Sequence, residues 1–429
     1  MSKTAIQVDH IARIEGHGNI HVVINDGVVE SVEMQVSEPA RFFESMVKGR
    51  DYSELSYIVS RICGICSASH VVTNIKALEK IFAVEVSDRT KALRELLIYG
   101  SYLQNHATHL FVFSAPDFVG TNSVFPLSDS DPELFQKALG LKSLGNELCT
   151  KVGGRSIHPI AAVVGGFTHE ISRADYLELA QKLEDAIPFA VETVDLFNSF
   201  ELPDFETQGD MLAMIEEGYY PIERSDTARF LEAGISFDAK EVNDNIEEYS
   251  VGYSAAYFAR VKATKSPYMT SALARINASW GNLSSNAKVA AAKAALRPPV
   301  KNPMRNNEAQ AIELVDALER CAGICRKLAS GDVTETSLPV DFQIKAGRGV
   351  GYTEAPRGAL FHDIEVDDQG KVLHASIMTP TAQNLSNLES DVYALAKVLT
   401  SKGSTEKQIR EEIEKLVRAY DPCLSCSVH

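Results

Sequence analysis

Apolar and polar residues alternate over 18–24 and again over 28–36, on either side of Asn25-Asp26-Gly27. A period of two around a turn that tolerates positive φ predicts a β-hairpin. A second hairpin is expected from 364–366 and 372–377 around Asp367-Asp368-Gln369-Gly370. Between them the spacing becomes helical. Ser87-Asp88 precedes an amphipathic stretch from 89 to about 113, and Ser172-Arg173-Ala174-Asp175 has the form of an N-terminal cap. The helix it opens should run to about 197, with a kink at Pro188. Thr405-Glu406-Lys407-Gln408 starts another that ends at Asp421-Pro422, which places the second cysteine pair on a turn. The stretch from 201 to 265 is acidic and irregular and reads as surface excursions. Neither an internal repeat nor a low-complexity linker divides the chain, so residues 1–429 are expected to form one integrated domain. Its parts would be β-rich 1–50, helical 51–200, the excursions of 201–265, and 266–429 with helices, second hairpin and C-terminal loop.

Composition narrows the class. With 45% hydrophobic residues, 429 residues can bury a substantial core. A net charge of −16 and the lack of a lysine or arginine run argue against nucleic acid, because phosphate would be repelled. No apolar run approaches the roughly 18 residues of a membrane span, and 1–9 lacks a signal-peptide core. A cytoplasmic location without membrane insertion is expected.

The cysteines carry the chemistry. Arg61-Ile62-Cys63-Gly64-Ile65-Cys66-Ser67-Ala68-Ser69-His70 lies near one end and Asp421-Pro422-Cys423-Leu424-Ser425-Cys426-Ser427-Val428-His429 at the other. One Cys-x-x-Cys pair alone reads as a redox dithiol or half a zinc site. Zinc ribbons join their halves through roughly 12–20 residues, whereas most of this chain separates the two pairs. Four thiolates meeting across the whole fold could hold a soft transition metal. Cys149, Cys321 and Cys325 sit in apolar surroundings and read as core thiols.

These paired motifs resemble those of the large, catalytic subunit of nickel–iron hydrogenases. Further matching segments are Arg13-Ile14-Glu15-Gly16-His17, Glu44 before Lys48-Gly49-Arg50, Gly153-Gly154-Arg155-Ser156-Ile157-His158-Pro159, Ala355-Pro356-Arg357-Gly358 and Thr379-Pro380-Thr381-Ala382-Gln383-Asn384. The resemblance implies an α+β, predominantly α fold, with a central helical bundle and peripheral β-hairpins. It implies reversible heterolytic cleavage of dihydrogen, which needs an electron-rich metal and a nearby base for the proton. Cys63 and Cys423 would be terminal ligands of nickel. Cys66 and Cys426 would bridge nickel to an iron carrying cyanide and carbon monoxide.

The same resemblance implies further roles. His70 would donate a hydrogen bond to a bridging sulfur, and Arg357 would stand over the metals as a charge that cannot deprotonate. Pro356 and Pro380 would supply apolar walls, and Thr381 a donor to an iron-bound cyanide. Glu15 would take the proton from a cysteine sulfur, against the competing reading of a strand-end glutamate paired with Arg13. Glu44, the Ile377 carbonyl and His429 would hold an additional magnesium or iron ion. Asn105, in Gln104-Asn105-His106-Ala107-Thr108-His109, stands where many membrane-bound relatives carry aspartate. With the length and Ala115-Pro116-Asp117-Phe118, it points to the cytoplasmic, bidirectional or cofactor-linked groups.

No further cysteine cluster, Gly-x-Gly-x-x-Gly or Walker loop offers an electron route. The resemblance implies a small iron–sulfur partner subunit, with flavin, diaphorase or heterodisulfide-reductase subunits beyond it. Relatives are commonly trimmed after the motif's last histidine, so a mature, processed terminus is expected at His429. Two rival readings are a quinone-site subunit like that of respiratory complex I, which lacks the four cysteines, and a zinc-stapled scaffold.

Overall fold

The computed structural model describes residues 3–121 and 123–428. Long helices form its centre: Asn306–Ser330 packs against Arg173–Asn198 and Asp88–Thr108, and Asp88–Thr108 against Pro132–Gly153. Leu97, Leu103, Leu148, Leu183, Ile312 and Leu318 are among the fully buried side chains between them. The expected starts are local chemistry. Ser87 accepts a hydrogen bond from Thr90 N and Ser172 from Asp175 N, while Thr405 and Gln408 form a reciprocal capping box. Each such cap is worth about 1 kcal/mol.

Arg173–Asn198 spans the expected length, with Pro188 inside it. One helix departs from expectation. The α-helix expected to reach about residue 113 stops at Thr108 and continues as a π-helical segment, His109–Ser114. Pro116 has no amide hydrogen to extend the α ladder, and Ala115 N bonds five residues back to Leu110 O.

Both hairpins form, and each gains a strand. Gly18–Asn25 pairs antiparallel with Val28–Val36 across Asp26 and Gly27, both at positive φ, and Lys3–Val8 adds to the outer edge. Gly358–Val366 pairs with Val372–Met378 and, on its other side, with Gly347–Ala355. Ala355 opposes Gly358, so Pro356 and Arg357 are the two residues of a tight turn.

The 201–265 stretch is not a set of surface excursions. Asp210–Met214 is buried along its length and lies in a four-stranded sheet with Tyr268–Met269, Thr227–Phe230 and Ile235–Asp238. Leu212, Met214 and Phe230 share a core with Tyr352 and Phe361. Acidic residues between these strands hide the apolar faces in the composition.

The helix after the first cysteine pair, Ser67–Phe82, lies on the strand that leads to Arg357. Gly349 and Gly351 permit this: a Cβ at Gly351 would overlap the Thr73 carbonyl oxygen, and one at Gly349 the Ala77 carbonyl. Gly351→Ala should therefore destabilise by about 3 kcal/mol or more, at the upper end of overpacking costs, because the obstacle is backbone. Denaturant unfolding checks this, and an unchanged midpoint would show that helix and strand separate freely. No helix among the described residues is long and apolar enough to cross a membrane.

Candidate metal centre

Local structure delivers the four sulfurs. Cys63 is extended after the turn Ser60–Ile62, and Cys66 caps the N-terminus of Ser67–Phe82, where the helix dipole favours a thiolate. At the other end, Asp421 at positive φ and Pro422 end the helical path after Glu406–Ala419. The chain then runs beside residue 15: Glu15 and Cys423 form a parallel bridge, with Leu424 N donating to Glu15 O at 2.9 Å. Gly16, at φ +85, allows this approach, since a Cβ there would lie 2.9 Å from the Leu424 Cβ and from Ser425 N.

All four cysteines are buried, and their sulfurs lie within 4.8 Å of one another. Cys63 and Cys423 Sγ are 3.6 Å apart, and Cys66 and Cys426 Sγ 3.8 Å. Sulfurs about 2.3 Å from a shared metal would stand roughly 3.8 Å apart, so the donor set fits a soft metal. Cys423 and Cys426 are joined here as a disulfide. Loading requires that pair as thiolates.

The electrostatics are uneven. Cys63 is held below the usual thiol range by its hydrogen bond with Cys66, against burial and aided by Arg357. Cys66 is pushed well above it by the same hydrogen bond and by burial. For Arg357, burial opposes the charge, but Asp421 and the site's acidic groups outweigh it and raise its pKa. Its Nε donates to Asp421 O at 2.7 Å, and its Nη2 to Asp421 Oδ1 at 2.9 Å. Nη1 is buried without a hydrogen-bond partner among the described residues.

Glu15 Oε2 lies 3.0 Å from Cys423 Sγ and 3.1 Å from Ser425 N, while Ser425 Oγ donates to Oε1. The contact with Cys423 is a hydrogen bond only in the thiol form. Arg13 does not pair with Glu15; it bonds Asp117. Thr381 Oγ1 accepts from Cys423 N at 3.0 Å, leaving its own proton for another acceptor. Pro356 is buried at the hairpin turn and Pro380 at the first turn of Pro380–Ser401.

His70 Nδ1 is 3.1 Å from His362 Nε2, a contact the motif does not reveal. Glu44 Oε1 accepts from the amide of Ile377 at 2.7 Å. The terminus runs close by, since Arg41 N donates to Val428 O at 2.8 Å. His429 lies outside the described residues.

Sequence reasoning gave Asp421 no role, although it lies inside the second cysteine motif. It is the buried acceptor that orders the site. Asn105 Nδ2 reaches its Oδ2 at 2.7 Å and Gln310 Nε2 at 3.0 Å. Burial would raise the Asp421 pKa, but the Arg357 charge and these donors hold it below the usual carboxylate range. Asn105, singled out as a lost charge, is thus a donor to Asp421.

A family description, nickel-dependent hydrogenase, matches residues 41–133 and 304–429. Sulfhydrogenase 2 subunit alpha of Pyrococcus furiosus is 32% identical over 427 residues, covering 99% of this chain and 98% of that protein. This chain belongs to the nickel-dependent hydrogenase family. Sulfhydrogenase 1 subunit alpha of the same organism is 34% identical, over 99% of this hydrogenase and 97% of its relative. An NAD+-reducing NiFe-hydrogenase in its H2-reduced state superimposes with a TM-score of 0.88 at 25% identity, over 99% of both chains. The Ni-Fe-Se hydrogenase of D. vulgaris Hildenborough, at 23% identity and TM-score 0.79, shows the same fold over the full length of both. The hydrogenase is therefore an oxidoreductase, the catalytic large subunit of the nickel–iron type, and its buried four-cysteine group supports a nickel–iron centre. The predominantly α fold with small sheets agrees with expectation. Neither the complex I reading nor the zinc scaffold finds support. Hydrogenase large subunits work with a small subunit.

Proposed function

We propose that Cys63 and Cys423 are terminal nickel ligands, that Cys66 and Cys426 bridge to an iron carrying cyanide and carbon monoxide, and that Glu15 takes the proton released from dihydrogen. The observation that carries this reading is a carboxylate oxygen 3.0 Å from one sulfur of a buried four-sulfur cluster. When bound, the nickel–iron centre supplies electron-rich metal at which dihydrogen is polarised and parted. The chain's own groups handle the proton. Cys423 Sγ holds it, and Glu15 Oε2 receives it, within the reach that general base catalysis requires. Ser425 orients that carboxylate through both its amide and its hydroxyl. Burial of the sulfurs excludes water.

Arg357 places a fixed positive charge beside the sulfurs, and its unpaired Nη1 suits a ligand on the metals. The Thr381 proton suits an iron-bound cyanide, and Pro356 and Pro380 form apolar walls. His70, one turn beyond Cys66, tunes a bridging sulfur. Glu44, the Ile377 carbonyl and His429 hold an additional magnesium or iron ion that ties down the tail. The Glu44–Ile377 hydrogen bond, with Val428 bonded to Arg41 three residues before Glu44, supports that reading. Residues 1–429 act as one integrated domain in the cytoplasm, passing electrons to a small iron–sulfur subunit and onward to flavin, diaphorase or heterodisulfide-reductase-type subunits.

Metal analysis of the purified protein should find nickel and iron in equal amounts at the cluster, with infrared bands of iron-bound carbonyl and cyanide. Zinc alone, without those bands, would overturn the reading. Glu15→Gln should lower turnover about tenfold or more and slow hydrogen–deuterium exchange, while the metal spectra stay unchanged, since an amide cannot accept the proton. Unaltered isotope exchange would remove Glu15 from the path.

A further inference from the structure

The most elaborate polar cluster outside the sulfurs centres on Arg275, in the helix Ala272–Ser279, a guanidinium only 2% exposed. An arginine has five N–H donors, and five acceptors surround this one. Nε and Nη2 fork onto Glu313 at 2.6 and 2.7 Å. Nη1 reaches Glu354 Oε2 at 3.2 Å and the carbonyl of Ala355 at 3.0 Å. Nη2 also donates to the carbonyl of Pro356 at 2.9 Å. The Tyr102 ring lies beneath the guanidinium, 5.0 Å away, and its hydroxyl donates to the Glu354 carbonyl at 2.9 Å.

Those two carbonyls belong to the residues immediately before Arg357. The turn is held from the other side as well, where Ala359 N donates to Thr270 Oγ1 at 2.7 Å. A Cβ on Gly358 would lie 2.6 Å from the same Thr270 oxygen. The backbone of the turn is thereby fixed at Ala355, Pro356 and Ala359, and the Arg357 side chain leaves it towards Asp421.

Two helices coordinate the two ends of this arrangement. Along Asp88–Thr108, Tyr102 and His106 serve the Arg275 cluster, His106 Nε2 lying 2.9 Å from Glu313 Oε2, while Asn105 serves Asp421. Along Asn306–Ser330, Glu313 serves the first and Gln310 the second. Residues at i, i+3 and i+4 share a helix face, so the same helical surfaces set both the turn and the acceptor of its arginine. A buried charge cluster of this kind is costly unless every donor is met, and a plain apolar core would serve stability as well.

We propose that Arg275 is a positioning residue for hydrogen cleavage: it clamps the Ala355 and Pro356 carbonyls so that Arg357 is presented to the metal centre in one orientation. The inference rests on the role given to Arg357 above. Lysine at position 275 would keep the charge but could not bridge two carboxylates and two carbonyls at once.

The test is a double-mutant cycle on the full chain in its complex, with a backbone readout beside it. Arg275→Lys should keep nickel and iron, lower kcat about tenfold or more and leave KM for dihydrogen within about twofold. In an Arg357→Lys background the same change should cost less than about twofold, because the residue it positions is already lost. Amide exchange at Arg357, Gly358 and Ala359 should quicken about tenfold or more, with the strand before them unchanged. Equal losses in both backgrounds, or unaltered exchange at the turn, would overturn the proposal. If Arg357→Lys alone retains full turnover, the reading of Arg357 fails, while the exchange measurement still decides whether Arg275 holds the turn. Should Arg275→Lys not fold, Glu354→Gln, which removes one charge from the clamp at constant volume, must show the same non-additivity and the same loosening.

Discussion

Cys423→Ser is expected to abolish both dihydrogen activity and nickel retention. A serine hydroxyl stays protonated at neutral pH and is a poor ligand for a soft metal, whereas thiolate is the preferred one. Structural sites with four such ligands bind with about 10–16 kcal/mol, so each contributes about 3 kcal/mol, over a hundredfold in affinity. The loss should be larger here, because Cys423 joins the tail to the Cys63 sulfur at 3.6 Å and faces Glu15 at 3.0 Å. Cys66→Ser should behave alike. Cys149→Ala supplies the contrast: burial pushes that thiol up to about 12, its sulfur fills space beside Gly100, and its loss should leave nickel in place. Metal content per chain and hydrogen uptake are the measurements. Full activity with bound nickel in Cys423→Ser would defeat the assignment.

The legibility of the centre in the sequence depended on how local each signal is. The cysteine pairs were readable because metal chemistry demands particular residues at short spacing, and the structure brings both pairs together. The first hairpin was readable because one face of Gly18–Asn25 is buried and the other is not, which imposes strict alternation. Gly347–Ala355 escaped notice for the opposite reason. Its glycines at 347, 349 and 351 look like a loop, yet those at 349 and 351 admit the backbone of Ser67–Phe82. Asp210–Met214 was hidden by acidic neighbours, although all five of its residues are buried.

Asp421, the partner of Arg357, and the groups that hold it were hidden at another level. Asn105, Gln310 and Asp421 are single polar residues on separate elements, and nothing in their spacing announces that they meet. The same holds for Arg275 with Glu313 and Glu354. Long polar side chains inside apolar helices are the residual signal, since a buried charge needs a buried counter-charge. That signal names the residues that must have partners without naming the partners. The resemblance to a family supplied Arg357, and the structure supplied the groups that hold it.

Arg357→Lys should retain the metals and lose about a hundredfold or more in kcat. That corresponds to about 2.7 kcal/mol of transition-state stabilisation, the size of effect seen when one preorganised donor is removed. Asp421 takes two of the arginine's nitrogens, through its carbonyl and its carboxylate, and the third is buried without a partner among the described residues. One ammonium nitrogen cannot occupy both positions. Its charge would be less secure as well. Burial already lowers the pKa of Lys76, the buried lysine over the neighbouring strand, despite Glu223 and Asp226 nearby. A lysine at 357 would face the same desolvation and could exchange protons with the reaction, whereas guanidinium keeps its proton throughout. Nickel and iron content, kcat and KM for dihydrogen separate these effects: intact metals with a large fall in kcat support the role, and turnover within twofold of the parent would remove Arg357 from the mechanism.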